Sequence, residues 1–184
     1  MRNEVQLKNL PKAKNSSLRK NAEKDGVVFA SRTILLSFDT ASFRELESGN
    51  MVFEYRSVLP EQPVSVYFYV TRPTKAICGY AQFGCRELLA DWLTKYKSRS
   101  STVISRIRKY LADCKYAAPI LKFQHTKQIS LDELKQDFGT FVVPRMYYFI
   151  DGTPLHSYLK EKLVPIGEVV TNTFADIPDS AICP

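Results

Sequence analysis

The strongest constraint on the fold is a set of three segments rich in β-branched and aromatic residues, at positions 33–38, 64–70 and 76–83. Such residues pack well on a pleated, half-buried surface, so each segment predicts a β-strand. The first is apolar on both faces and predicts a buried strand. Several strands of this length have to pair into a sheet, so the sheet defines the architecture.

Shorter segments add helices and further strands to this sheet. Asp39 or Thr40 can cap a helix whose apolar residues Phe43 and Leu46 are three positions apart. The Ser130-Leu131-Asp132-Glu133 stretch is a capping box that opens another short helix. Helical spacing predicts two more helices, over 88–96 and from about 101 to 111, and alternation or apolar runs predict strands at 52–56, 120–123 and 146–150.

The predicted fold is therefore α+β, a small β-barrel surrounded by short helices. Residues 1–27 are polar, basic and aperiodic, which predicts a mobile arm, with strand material starting at 27–29. Residues 28–151 form the predicted domain. Residues 152–184 hold four of the ten prolines and predict an extension packed on that domain.

The charge of the chain favours a polyanionic partner. The formal net charge is +7, and residues 1–30 supply +4 of it through seven basic and three acidic side chains. Nucleic acid is the first partner that such a balance suggests, although a basic tail on a soluble protein explains it as well. The first 25 residues lack the apolar stretch of a signal peptide, and no membrane span is visible, so a cytoplasmic protein is expected.

Common cofactor and metal motifs are missing from the sequence. The seven glycines form neither a dinucleotide-binding fingerprint nor a phosphate-binding loop, so no cofactor is expected. The four cysteines form no close pair, and His125 and His156 are far apart, so no metal site is expected. The cysteines are interpreted as unpaired, buried thiols.

The most informative segment is Ser48-Gly49-Asn50-Met51-Val52-Phe53-Glu54-Tyr55-Arg56, which follows a buried strand and a helix. It resembles the ASCH family, whose members carry a G-x-K-x-x-E-x-R-like stretch here. The glycine, glutamate and arginine positions match, and Met51 stands at the lysine position. A strand–Pro–strand unit at 66–80 and a closing helix–Pro–aromatic strand at 130–149 extend the resemblance over residues 33–150.

The resemblance implies a PUA-like barrel with a cleft beside this motif, and RNA or a modified nucleoside or nucleotide as the ligand. Some small family members hydrolyse acetylated cytidine and others cleave RNA, with chemistry attributed to the lysine. Met51 cannot titrate, which argues against hydrolase activity here and leaves enzymatic activity uncertain. A nucleoside amidohydrolase, a ribonuclease and a protein–protein adaptor in transcription therefore stay as alternatives to a binding protein.

Glu54 and Arg56 are two apart on a predicted strand and therefore project from one face. A carboxylate can accept hydrogen bonds from a base, and a guanidinium can fork onto a phosphate or stack on a base. A structural ion pair is the alternative interpretation. In either case we expect Arg56 to hold the pKa of Glu54 down. The full set of predicted ligand-binding residues is Ser37, Glu54, Arg56, Arg72 and Arg145, the last beside Tyr147 and Tyr148.

A second basic feature lies at 95–109, within a stretch from 92 to 112 that contains no acidic residue. It is interpreted either as a surface that follows a phosphate backbone or as a solvated helix face. The residues predicted to contact the nucleic-acid backbone are Lys97, Arg99, Arg106, Arg108 and Lys109.

Overall fold

The computed structural model describes residues 32–184, and the predictions made for residues 1–31 lie outside this range. Its strands are β1 (Arg32–Phe38), β2 (Phe53–Arg56), β3 (Val64–Val70), β4 (Ala76–Phe83), β5 (Glu87–Leu88), β6 (Tyr116–Ser130), β7 (Tyr147–Phe149) and β8 (Val170–Thr171). Its α-helices are α1 (Thr40–Glu47), α2 (Trp92–Lys95), α3 (Ser101–Tyr110), α4 (Leu131–Phe138) and α5 (Pro154–Lys162).

Six strands form a mixed half-barrel in the order β2-β6-β4-β3-β1-β7, and β5 and β8 pair with β6 outside this path. β1 and β3 are parallel, while the other pairs are antiparallel. Register shifts in the β3–β4 and β4–β6 ladders increase the bend of the sheet. With the five short helices packed around it, this half-barrel confirms the predicted α+β, barrel-like architecture.

Three apolar clusters hold the helices on the sheet. The first lies between the sheet and α1 and contains Phe43 and Leu46. The second lies under α2 and α3 and centres on Trp92, and the third lies under α4 and α5 and includes Leu134 and Leu159. The Gly49–Arg56 segment is held by two of these clusters, because Met51 packs against the first and Phe53 and Tyr55 of β2 pack in the second.

The local signals around α1 and α4 act as predicted. The Asp39 carboxylate accepts a hydrogen bond from the backbone N–H of Ser42 at 2.9 Å and so caps α1. Gly49 follows the helix with φ of +75°, a conformation that glycine adopts without strain. Both halves of the Ser130–Glu133 capping box are present at the start of α4.

Two predicted elements differ from the structure. The helix predicted over 88–96 is divided into the short β5, a 3-10 turn at Leu89–Asp91 and the four-residue α2. The divided segment still buries Leu89 and Trp92, so its apolar spacing reflected burial rather than one regular helix. The strand predicted to begin after Pro119 instead begins at Tyr116, because Pro119 and the residues before it pair with β2.

Residues 152–184 contribute to the core as well as to the surface. Thr153 accepts a hydrogen bond from the backbone N–H of His156 and caps α5, a helix that the sequence did not predict. Ile182 and Cys183 are fully buried in the second cluster. None of the helices within residues 32–184 combines the length and the apolar character needed to cross a bilayer.

Candidate functional site

The alternation of β2 places Glu54 and Arg56 on one face of the strand and Phe53 and Tyr55 on the other. Phe53 and Tyr55 belong to the second apolar cluster, where both rings contact Trp92. Glu54 is only 2% exposed, whereas the Arg56 side chain is 23% exposed. The two side chains therefore share a face at different depths, and the guanidinium is the one that reaches the surface.

Arg56 is fixed by two protein acceptors. Its Nε donates to Glu54 Oε1 at 2.5 Å, and its Nη2 donates to the backbone carbonyl of Ser37 at 2.9 Å. A guanidinium has five N–H donors, and no hydrogen bond within residues 32–184 uses Nη1. The arginine thus holds a defined orientation and keeps donors for a further acceptor.

Burial raises the pKa of the Glu54 carboxyl above its usual value, and the nearby Asp39 acts in the same direction. The Arg56 guanidinium lowers this pKa through its charge and its hydrogen bond, but it does not outweigh burial. The expectation that Arg56 would hold the pKa down is therefore wrong, because the depth of the carboxyl could not be read from the strand pattern. Glu54 acts on Arg56 and is not itself open to a ligand.

Backbone hydrogen bonds gather the other predicted ligand residues around the end of β1. The Ser37 N–H donates to the carbonyl of Met146, the residue after Arg145, at 2.8 Å. The N–H of Thr71, the residue before Arg72, donates to the carbonyl of Phe38 at 2.8 Å. Arg72 and Arg145 are exposed, and Ser37 is buried. The structure thus brings three arginine-bearing segments to one end of one strand.

Met51, at the position of the family lysine, lines a different part of the surface. It borders a cavity of about 630 Å³ whose walls include Tyr55, Tyr110 and the C-terminal Pro184, but neither Glu54 nor Arg56. Its backbone N–H donates to the carbonyl of Glu45 at 3.1 Å. The thioether brings no titratable group to this cavity.

The five predicted backbone-contact residues divide into two groups. Arg99 donates to the Asp179 carboxylate at 3.0 Å, and Arg106 donates to the Asp179 backbone carbonyl, so both hold the C-terminal segment. Lys97, Arg108 and Lys109 are exposed, and no ion pair within residues 32–184 involves them. The side chains of the second group are therefore not engaged with Asp179, whereas Arg99 and Arg106 each use at least one donor on it.

Cys114 is a neighbour of the Glu54–Arg56 pair that the sequence did not indicate. Both charges act on its half-buried thiol, and burial together with Glu54 raises the pKa of this thiol. All four cysteines are free, as predicted, with Cys78 and Cys183 buried. The expectation that all are buried is wrong for Cys85, whose thiol is exposed.

Comparison with solved structures identifies the fold. A crystal structure of ASCH from Zymomonas mobilis is 20% identical over 72% of this chain and 96% of that chain, with a TM-score of 0.55. Structures of two mutants of the Zymomonas mobilis protein are 18% and 19% identical, with TM-scores of 0.53 and 0.51. They cover 70% and 71% of this chain and 95% and 98% of their own.

The chain has the ASCH fold. No family model matches the sequence, and no curated protein matches it. The resemblance noted over residues 33–150 is thus confirmed by the three-dimensional fold. In this ASCH fold the motif segment contributes one buried carboxylate and one oriented guanidinium, an arrangement that suits anion or base recognition.

Proposed function

We propose that this ASCH-fold protein binds RNA or a modified nucleoside at the end of β1, with Arg56 as the central contact. The observation that carries the proposal is the fixed guanidinium, whose Nε and Nη2 are held by Glu54 and the Ser37 carbonyl while Nη1 keeps its donors. An oriented guanidinium can fork onto a phosphate or stack on a base.

Arg72 and Arg145 supply the second support, because both are exposed next to residues that hydrogen-bond the end of β1. A nucleic-acid strand carries one negative charge per nucleotide, so two exposed arginines on segments that hydrogen-bond the end of β1 can contact its backbone together with Arg56. Glu54 is the positioning residue of this site: it holds Arg56 and makes no contact with the ligand. Lys97, Arg108 and Lys109 are exposed and are the further cations that we propose for a longer strand.

The test is a titration of a fluorescent single-stranded RNA oligomer, read by anisotropy. Replacing Arg72 and Arg145 together with Gln should weaken binding ~25-fold at about 0.1 M salt, since removing each phosphate-binding cation lowers the salt slope by about 0.7. The matched control replaces Lys160 and Lys162 of α5 with Gln, which changes the net charge equally on another exposed element.

The proposal requires the control to bind within about twofold of the unmodified protein. Equally weakened binding in the two double variants would show that only net charge matters, and binding unchanged by the removal of Arg72 and Arg145 would exclude the end of β1 from the interface. Arg56→Lys keeps the charge but not the fork, and it should weaken binding on its own.

A further inference from the structure

A second pocket lies on the outer face of β4 and β6, on residues that the proposed site does not use. It has a volume of about 610 Å³, within the range of small-molecule sites. Its base is formed by two cross-strand pairs, Tyr80 opposite Gln124 and Gln82 opposite Lys122. One wall comes from β8, where Thr171 pairs with Lys122.

The amide side chains of this pocket use their nitrogens as hydrogen-bond donors to other protein groups, while their carbonyl oxygens accept none within residues 32–184. Gln82 Nε2 donates to Ser65 Oγ at 3.3 Å, and Asn172 Nδ2 donates to the Ile120 carbonyl at 2.7 Å. Gln124 Nε2 donates to two backbone carbonyls, at 3.0 and 2.9 Å. No hydrogen bond within residues 32–184 uses the three amide carbonyl oxygens, so the pocket offers acceptors to a ligand that donates N–H groups.

The remaining lining residues define the rest of the ligand. Tyr80 is 38% exposed, and Val169 of the same lining is exposed as well, so a flat apolar body can stack on the Tyr80 ring. Among the described residues the lining includes no acidic side chain, and Lys122 is its one charged group. A planar aromatic molecule with N–H donors and an anionic substituent can stack on the Tyr80 ring, donate to the amide oxygens and pair with Lys122.

We infer that this outer pocket is a second binding site, for an amino-substituted nucleobase carrying a phosphate. The inference goes beyond the proposed function, because the pocket shares no lining residue with the end of β1 and does not require RNA to bind there. The base can come from a free nucleotide or from an unpaired position of a strand. The ring stacks on Tyr80, its amino group donates to the amide carbonyls, and the phosphate meets Lys122.

Calorimetric titration with adenosine monophosphate tests the site on the full chain. Tyr80→Ala should weaken binding by roughly 5- to 150-fold, the range for removal of one base–aromatic stack. Tyr80→Phe keeps the ring and should bind as the unmodified protein does. Gln82→Met removes an acceptor at nearly constant size and should weaken binding by roughly 2- to 10-fold.

Two ligand variants separate this site from the end of β1 and identify the source of the base. The N6,N6-dimethyl analogue has no amino N–H and should bind at least about 10-fold more weakly. A short adenine oligomer that binds more tightly than the mononucleotide, with the same dependence on Tyr80, would indicate a base from a strand; the reverse order would indicate a free nucleotide.

The exposed thiol of Cys85 gives a readout at the pocket itself, because this residue lies in its lining. The bound nucleotide should slow alkylation of Cys85, measured by mass spectrometry, in the unmodified protein and in Tyr80→Phe. Equal binding by Tyr80→Ala and the unmodified protein would overturn the inference. The inference would also be overturned if Arg72→Gln abolished nucleotide binding while the Tyr80 and Gln82 variants still bound the nucleotide, because the nucleotide would then occupy the end of β1.

Discussion

Removing Arg56 should destabilise the fold mainly through the charge it leaves behind. The Glu54 side chain is 3% exposed and its partner is 23% exposed, with 2.5 Å between the paired atoms. Breaking a buried pair from one side costs about 3–5 kcal/mol, because the remaining charge is left without a partner. Since Arg56 reaches solvent, water can partly replace its contact with Glu54 when the arginine is removed. We therefore expect Arg56→Met to cost about 3 kcal/mol, the lower end of that range.

Thermal and urea unfolding followed by circular dichroism measure this effect. For a chain of this size, about 3 kcal/mol corresponds to a fall in Tm of roughly 6–12 °C. The double variant Glu54→Met with Arg56→Met removes both charges at similar volume, and it should lie within about 1 kcal/mol of the unmodified protein. A single variant that costs less than about 1 kcal/mol, or a double variant no more stable than the single one, would show that the uncompensated carboxylate is not the cause.

Three further outcomes are expected. Burial raises the pKa of Glu54 from its usual 4.5, so its contribution to stability is fully present below pH 4.5 and is lost as the pH rises through the folded-state pKa. Urea unfolding from pH 4 to 8 should therefore show the unmodified protein losing stability relative to Glu54→Gln. A gain in stability over this range would contradict the shift. Replacing Lys97, Arg108 and Lys109 with Gln should lower the salt slope of RNA binding by about 0.7 for each of these cations that meets a phosphate, and an unchanged slope would exclude this surface. Acetylated cytidine should not be turned over, because Met51 offers no proton or charge; chromatographic detection of turnover on the order of 1 s⁻¹ would show that the chemistry does not need a lysine there.

The sequence predicted the elements whose signals are local. β1 needs only a continuous apolar run, α1 needs the cap from Asp39 and apolar residues on one face, and α4 needs the Ser130–Glu133 box. Each signal lies within about ten residues, so neighbouring structure hardly alters it. The order of these elements predicted an α+β fold with a small barrel, and the ASCH resemblance implied the same kind of barrel.

The elements that were missed depend on distant partners. The first residues of β6 pair with β2, about sixty residues earlier, and Pro119 tolerates this position within the ladder. Arg106 donates to the backbone carbonyl of Asp179, 73 positions away, a contact for which the sequence around Arg106 carries no local signal. The burial of Ile182 and Cys183 under α3 likewise has no local signal.

For the candidate site, the sequence predicted which face of the strand each side chain occupies but not how deeply it is buried. Strand alternation was enough to place Glu54 and Arg56 on one face. It could not show that Glu54 lies below the surface, because that depth depends on chain segments distant in sequence, such as β6, where Ala118 is its cross-strand partner. The same limit explains the wrong expectation for the pKa of Glu54, in which burial outweighs the guanidinium.

The salt dependence of RNA affinity is the decisive test of whether the end of β1 is an RNA- or nucleoside-binding surface built around Arg56. The measurement is the dissociation constant of a single-stranded RNA oligomer between about 50 and 200 mM salt, for the unmodified protein and for the Arg72→Gln, Arg145→Gln double variant. We predict a linear fall of log affinity with log salt, and a slope shallower by about 1.4 in the double variant, because two phosphate-binding cations are absent from it. Affinity that does not depend on salt, or identical slopes for the two proteins, would contradict the proposed surface.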